Sequence, residues 1–338
     1  MSDAPRVAFA GAGWIAAVHG LAAKQLGLPI TRVASRRPAK AKEMASRMGA
    51  IACRYDELPG DAEVVVVCSA PQCHADHALH AISRGASVVI EKPLCTTLAG
   101  ADALVAAEDA GARIGYAENL AYAPIVQHFV AEVEQLGDLQ HLEVRTVQSR
   151  PTWGDFLTED WGGGALFDLG VHPIAIAMLA ARSTVVSVSA ALEGSDDHPT
   201  DEHAEVTLTF ERGLRATVVS SWRGGEVAEW SAQAASAMGV VRAELLPTPL
   251  LERNGDALTL PPVTAPIPQL EQYGYVGQLE AFVVAFARGA PPVMDARFGR
   301  AVLDVVCAAY ASAALGGSEV AVPFTGPRDR TPLQLWRG

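Results

Sequence analysis

The feature that most restricts what this chain can fold into is a glycine loop set between an apolar run and a helical pattern. Residues 7–10 are unbroken hydrophobics, Gly11-Ala12-Gly13-Trp14-Ile15-Ala16 follows, and 14–26 has helical spacing. This is a G-x-G-x-x-A match at the strand-to-helix junction where dinucleotide-binding folds carry one. The first glycine permits a tight turn, the second lets backbone approach a pyrophosphate, and Ala16 is small enough for helix to pack on strand. Trp14 and Ile15 then open a helix whose N–H groups and partial positive charge face the anion. Alone the motif is weak, the alternative being a glycine turn in a buried strand-loop-helix, but its place at the strand-to-helix junction near the N-terminus favours dinucleotide binding.

Up to about residue 120, strands are expected at 30–34, 64–68, 87–90 and 113–116, alternating with helices at 38–48, 75–83 and 98–110. Continuous runs such as Val64-Val65-Val66-Val67 suit strands buried on both faces, hence a parallel sheet. Beyond that point the period becomes two. Ala204, Val206, Leu208 and Phe210 alternate with Glu205, Thr207, Thr209 and Glu211, as in antiparallel sheet with one wet face. The alternation resumes at 214–218, with further strands at 142–147, 186–192 and 240–245, a rigid proline-rich connection at 261–268, and helices at 275–286 and 298–314. A length of 338 residues fits two domains, which we cut into 1–121 and 122–338.

Hydrophobic residues make up 50% and charged residues 19%, an ordinary globular balance, and a net charge of -12 makes polyanions poor partners. No nucleic acid and no membrane are expected as partners; a small molecule is. Five cysteines in so long a chain form no disulfide framework and point to a reducing compartment, the cytoplasm. Residues 7–23 follow Arg6 as a secretion leader would, but Asp3 and the two glycines spoil the match. At the end of the second strand, where NAD-binding folds place an acidic residue on the ribose 2'-hydroxyl, stand Ser35-Arg36-Arg37. A hydroxyl and guanidinium groups suit a 2'-phosphate, so NADP is expected in preference to NAD, unless the two arginines are merely solvated at a loop tip.

Three later segments turn from cofactor to chemistry: Cys68-Ser69-Ala70-Pro71 with His74, then Glu91-Lys92-Pro93-Leu94, then Gly162-Gly163-Gly164-Ala165-Leu166-Phe167-Asp168-Leu169-Gly170-Val171-His172. With the glycine loop, in this order and spacing, they resemble the Gfo/Idh/MocA family (glucose-fructose oxidoreductase, inositol dehydrogenase and rhizopine-catabolism proteins) over nearly the whole chain. The resemblance implies an α/β protein: an N-terminal Rossmann domain, then a C-terminal α/β domain with an open, mainly antiparallel sheet used for substrate binding and for homodimer or homotetramer contacts. It implies NAD(P)-linked hydride transfer on sugars, cyclitols or keto-sugars. It also implies Ser69, Ala70, Pro71, His74, Glu91, Lys92 and Asn119 on the cofactor side, Tyr122 toward the substrate, and a cis Lys92–Pro93 bond.

Lys92 follows the strand 87–90, at the carboxyl edge where open α/β sheets bind ligands. It is one of four lysines, with Lys24, Lys40 and Lys42, in a chain that otherwise uses arginine. An ammonium there can stabilise the alkoxide-like charge of hydride transfer and, unlike a guanidinium, exchange a proton. His172 is the acid/base candidate because imidazole titrates near neutrality. Asp168 shares a face with it if 168–172 begins a helix, and can orient substrate or imidazole. The resemblance carries the family's catalytic Lys, Asp and His onto Lys92, Asp168 and His172, all of which then also face substrate. A lone Asp and His at this spacing would sooner be a helix cap and a core histidine; the triple glycine and full match favour chemistry.

One departure is Ala175, where many members have an Asp, and it makes substrate identity less transferable. Trp153 and Trp161 either stack on a sugar face or fill the core, and the side chains of His19 and Trp14 read as packing. His74, His77 and His80 sweep around a helix without converging, so no metal is expected. Two other functions share these residues. One is a cofactor-bound regulator or binding protein, for which Lys92, Asp168 and His172 together are superfluous. The other is a redox-neutral glycosidase or epimerase in which hydride leaves and returns.

Overall fold

The structure, a computed structural model, describes residues 4–263 and 266–338. Asp3, and Thr264 and Ala265 of the proline-rich run, lie outside the described residues. The strands are β1 (Val7–Ala10), β2 (Ile30–Ala34), β3 (Ile51–Cys53), β4 (Val64–Val67), β5 (Ser87–Glu91), β6 (Ile114–Ala117), β7 (His141–Val147), β8 (Val185–Gly194), β9 (Asp201–Phe210), β10 (Arg215–Ser221), β11 (Glu229–Ser236), β12 (Gly239–Leu246), β13 (Leu250–Arg253), β14 (Asp256–Ala257) and β15 (Val320–Ala321). The helices are α1 (Trp14–Gln25), α2 (Pro38–Met48), α3 (His74–Ser83), α4 (Leu98–Asp109), α5 (Pro124–Glu134), α6 (Ala165–Asp168), α7 (Val171–Ala181), α8 (Pro268–Gln272), α9 (Tyr275–Ala287), α10 (Ala296–Ala314) and α11 (Pro332–Arg337).

The chain divides into two compact units. The first holds a six-stranded sheet in the order β3-β2-β1-β4-β5-β6, parallel throughout. Strands β1, β4, β5 and β6 are buried along their whole length, which is why they read as largely apolar runs. The strand order reverses between β1 and β4, the switch point at which sheets of this kind bind ligands beyond their carboxyl ends. This unit is not one run of sequence. Residues 263–300 belong to it as well, so the single cut after residue 121 is corrected. The returning segment completes the core: Leu279 and Phe282 of α9 are fully buried, and the Phe282 ring lies so close over Gly115 of β6 that a Cβ there would meet it at 2.9 Å.

The second unit is built on a nine-stranded sheet ordered β14-β13-β12-β11-β7-β10-β9-β8-β15. All neighbours are antiparallel except β7 and β10. Helices α5 and α7 pack on one face, and the period-two pattern of β9 turns Ala204, Val206, Leu208 and Phe210 inward. The fold class is thus as expected from the sequence, a parallel nucleotide-binding sheet plus a mainly antiparallel one. Among the described residues no single helix is long and apolar enough to cross a membrane.

Candidate active site

In the first unit, Gly11 leaves β1 with φ +137°, a region open only to glycine, and a Cβ on it would run into the backbone carbonyl of Cys68 beyond β4. The two strand ends at the switch point therefore touch through Gly11. Gly13 is the opposite case: its φ is an unremarkable -89°, and nothing lies within 4 Å of where a Cβ would stand. No side chain caps α1 at this point. Open space over bare backbone, in front of a helix end without a capping side chain, fits a pyrophosphate. Trp14, expected to pack, is 65% exposed.

At the end of β2, the Ser35 hydroxyl accepts the Arg37 N–H at 3.2 Å, while Arg36 and Arg37 are exposed. Tyr55 is hydrogen-bonded to the Arg36 backbone and stacks on His77 at 4.0 Å, and His77 Nδ1 lies 2.9 Å from the Ser69 hydroxyl. Ser69, Ala70 and Pro71 form the turn into α3. His74 faces two carbonyls, Pro93 O from Nδ1 and Ser69 O from Nε2, each at 2.9 Å. Burial pushes this imidazole below the usual histidine range, with its backbone hydrogen bonds acting against the shift. His74 thus ties two loops together, and both its ring nitrogens are engaged within the unit. His80 reaches the Leu58 carbonyl instead, whereas His74 and His77 both meet Ser69, at its carbonyl and its hydroxyl.

Lys92 is half-buried immediately beyond β5, and the Lys92–Pro93 bond is cis. Glu91, expected on the cofactor side, is only 5% exposed and turned toward His19 of α1. The Asn119 amide donates to the Tyr273 carbonyl at 2.7 Å. The Tyr122 ring stands edge-on to Phe282 at 5.6 Å, and burial pushes its hydroxyl up to about 12. Both side chains are thereby engaged in the core of this unit.

In the second unit the triple glycine is a packing device. Gly162 has φ +97°, and a Cβ on Gly163 would run into Phe167, and one on Gly164 into the Asp201 backbone. These contacts let α6 start hard against β9. The fully buried Asp201 carboxylate accepts the Leu166 N–H at 2.8 Å and the Tyr310 hydroxyl, which itself accepts the Gly164 N–H at 2.9 Å. Burial pushes the Asp201 carboxyl up, against the pull of these hydrogen bonds. Asp201 and Tyr310 were not singled out from the sequence, because they lie in remote segments and neither belongs to a motif.

The expected helix across 168–172 is instead a joint. Helix α6 ends at Asp168, α7 begins at Val171, and the chain bends by 45° between them. Gly170 permits a close approach here, since a Cβ on it would run into the Leu166 carbonyl. Asp168 and His172 therefore flank a bend and do not share one regular helical face. They are 6% and 4% exposed. The His172 ring lies 5.6 Å from that of Trp230, which is placed at a bulge in the β11–β12 ladder. Trp230 and Trp161 pack on a cluster of Phe156, Ala165, Leu169 and Trp222, whereas Trp153 is 60% exposed. Trp161 is thus partly buried against this cluster, and the exposed Trp153 ring stands edge-on to Phe156 at 4.9 Å. Ala175 is fully buried in α7.

Comparison with known proteins agrees with this geometry. Residues 5–117 match the model of the oxidoreductase family with NAD-binding Rossmann fold, and residues 129–235 match the GFO/IDH/MocA C-terminal domain, together more than half of the chain. The chain belongs to the Gfo/Idh/MocA family. As a member it is an NAD(P)-linked oxidoreductase. A curated Gfo/Idh/MocA relative, inositol 2-dehydrogenase of Rhizobium meliloti, is 25% identical over 91% of this chain and 97% of its own length. Among solved structures, GenD2 from gentamicin A biosynthesis in complex with NAD has a TM-score of 0.84 at 24% identity, covering 95% of this chain and 97% of its own. Levoglucosan dehydrogenase, in complex with NADH and L-sorbose, has a TM-score of 0.84 at 19% identity, covering 95% and 99%. The one metal-ligand-like group among the described residues of this Gfo/Idh/MocA member, Asp197, His198 and Glu202, is paired with Arg150 at 3.0 and 3.1 Å and Arg223 at 3.4 Å.

Proposed function

We propose that the chain transfers hydride between NADP, in preference to NAD, and a hydroxyl or carbonyl of a sugar, cyclitol or keto-sugar, with Lys92, Asp168 and His172 as its catalytic residues. The observation that carries this reading is the placement of Lys92 on the sheet edge that bears the Gly11 turn. β1, β4 and β5 are successive neighbours, so the phosphate loop and Lys92 are about 10 Å apart along that edge, at roughly 4.8 Å per strand. A dinucleotide laid along the edge from Gly13 spans that distance. When bound, its nicotinamide supplies or accepts the hydride. The Lys92 ammonium then stabilises negative charge on the reacting oxygen, His172 exchanges the hydroxyl proton, and Asp168 orients.

NADP is supported by Ser35, Arg36 and Arg37 at the end of β2, with no carboxylate among them. The NAD and NADH bound to the two structural neighbours make NAD the rival outcome. The inositol dehydrogenase supports the polyol class, and the loss of a carboxylate at Ala175 counts against inheriting any one substrate. Five free cysteines support a cytoplasmic location, and the wet face of the nine-stranded sheet supports homodimer or homotetramer contacts.

The test is a panel of myo-inositol, aldoses, anhydrosugars and keto-sugars, followed by cofactor absorbance with NAD and with NADP. At least one should turn over, faster with NADP at limiting cofactor. His172→Ala should cut kcat by about 10²- to 10⁴-fold with cofactor affinity kept. A variant at full rate rejects the role of His172, and product formation without net absorbance change replaces the dehydrogenase by a redox-neutral enzyme.

A further inference from the structure

His19 reads from the sequence as core packing, and the structure gives it a polar task. It is fully buried in α1 with Nε2 2.6 Å from Glu91 Oε1, while Glu91 Oε2 accepts the Lys92 N–H at 2.9 Å. One carboxylate therefore connects the helix behind the glycine loop to the backbone of Lys92. On the far side of the same turn, His74 holds the Pro93 carbonyl. His19 Nδ1 has no hydrogen-bond partner among the described residues, so the imidazole's hydrogen bond there is the one to Glu91.

A buried carboxylate is costly to desolvate, and replacing a buried ion pair by well-packed apolar residues of similar volume is often neutral or stabilising. Burial drives the Glu91 carboxyl toward its neutral form, but the His19 hydrogen bond and the charges of His19, Lys92 and His74 outweigh it and hold the group below the ordinary carboxylate range. The other groups facing the pair are Tyr275 of α9, edge-on to His19 at 5.8 Å, and Cys68, Tyr116 and Glu118 around it. Burial holds the Cys68 thiol and the Tyr116 and Tyr275 hydroxyls in their protonated forms, and the carboxylate that adjoins Lys92 in the chain is Glu91.

We propose that His19 is a positioning residue for Lys92: it holds the Glu91 carboxylate turned so that its other oxygen fixes the Lys92 N–H. This rests on the reading of Lys92 as catalytic, and the experiment separates the two. Because the chain has only four lysines, trace acetylation of the cofactor-free protein read by peptide mass spectrometry reports Lys92 against Lys24, Lys40 and Lys42 as internal standards. In His19→Leu the buried carboxylate loses its donor and takes a proton. In Glu91→Gln the charge is removed with the shape kept.

Both variants should raise Lys92 labelling about threefold or more relative to the other lysines, the effect of half a pK unit of lost stabilisation of the ammonium. His19→Gln, which restores a donor, should return it to within about twofold of wild type. An unchanged Lys92 rate in the two variants overturns the proposal, and so does an equal rise at all four lysines, which marks general loosening. If His19→Leu does not fold, Glu91→Gln decides by the same criterion. With the substrate found by the panel, His19→Leu should lower kcat about tenfold or more, since misplacing a catalytic group by about 1 Å costs up to about 100-fold, with KM and NADPH affinity within about twofold. In a Lys92→Ala background it should cost nothing further; the same loss there overturns positioning through Lys92. Full activity of Lys92→Ala alone refutes the catalytic reading and leaves the labelling to judge the pair.

Discussion

At the scale of single residues, the two glycines of the phosphate loop make opposite predictions. Gly11→Ala forces a side chain into a positive-φ position and against a backbone carbonyl that cannot move aside. It should lower unfolding free energy by about 1–3 kcal/mol, read by urea denaturation. Gly13→Ala adds a methyl to open space at an extended backbone, so its stability cost should stay under about 1 kcal/mol while NADPH affinity falls, because the methyl occupies the approach of a phosphate. Asp201 gives a pH prediction. Its folded pKa is raised above the ordinary 3.8, chiefly by burial, so the folded state holds the proton longer and stability falls as pH rises from 3.8 through the folded value. Asp201→Asn lacks this term. Wild-type stability measured relative to the variant should therefore decline between acid and neutral pH, and an increase would contradict the sign. Of these residues, the glycines were legible because a motif needs them at fixed spacing. The partnerships of His19 with Glu91, 72 residues apart, and of Asp201 with Leu166, 35 apart, were not. Sequence order carries periodicity, but it does not say which buried polar groups meet.

At the scale of elements, the legible pieces were those with one dominant period. The all-valine β4 and the alternating β9 were read within a few residues of their observed ends. Strand β11 was not, since Glu229–Ser236 is, Trp230 apart, made of small and polar residues and fully buries only Ala232 and Ala234. Helix α5 was overlooked although Pro124 at its first position and the buried stripe Ile125, Val126, Phe129 and Val133 were there to be read. The α6–α7 joint misled for a different reason. The spacing of Asp168 and His172 is that of one helical turn, and the close approach to the Leu166 carbonyl that Gly170 permits does not show in it. In an ordinary helix, Gly→Ala stabilises by about 0.5–1 kcal/mol. At this joint the sign should reverse, because the Cβ runs into the Leu166 carbonyl: Gly170→Ala should cost about 1–3 kcal/mol as overpacking does, and lower kcat by displacing Asp168 relative to His172. Thermal unfolding and steady-state kinetics on the same preparation check both, and a stabilised variant would mean that the joint tolerates a Cβ at Gly170.

At the scale of the whole molecule, the cut after residue 121 failed because it treated a domain as one stretch of chain. Unit one is completed by 263–300, a segment outside both matched family ranges. Its helix α9 buries Val276, Leu279, Phe282 and Phe286. Tyr273 and Met294 accept the Asn119 amide and the Tyr116 N–H at 2.7 and 2.8 Å. At about 1.5–3 kcal/mol for each large apolar side chain, those four contribute about 6–12 kcal/mol of burial. That is comparable with the entire net stability of a typical domain, about 5–15 kcal/mol. A fragment ending at Tyr122 should therefore fail to fold, with no cooperative denaturation and no NADPH binding, although it contains the whole six-stranded sheet and the glycine loop. Joining 263–300 to it through a flexible linker should restore both, because the lost surface belongs to that segment. Cooperative unfolding of the fragment alone would show that the parallel sheet and its own helices already bury enough, and that α9 is an addition to the nucleotide-binding core and no part of it.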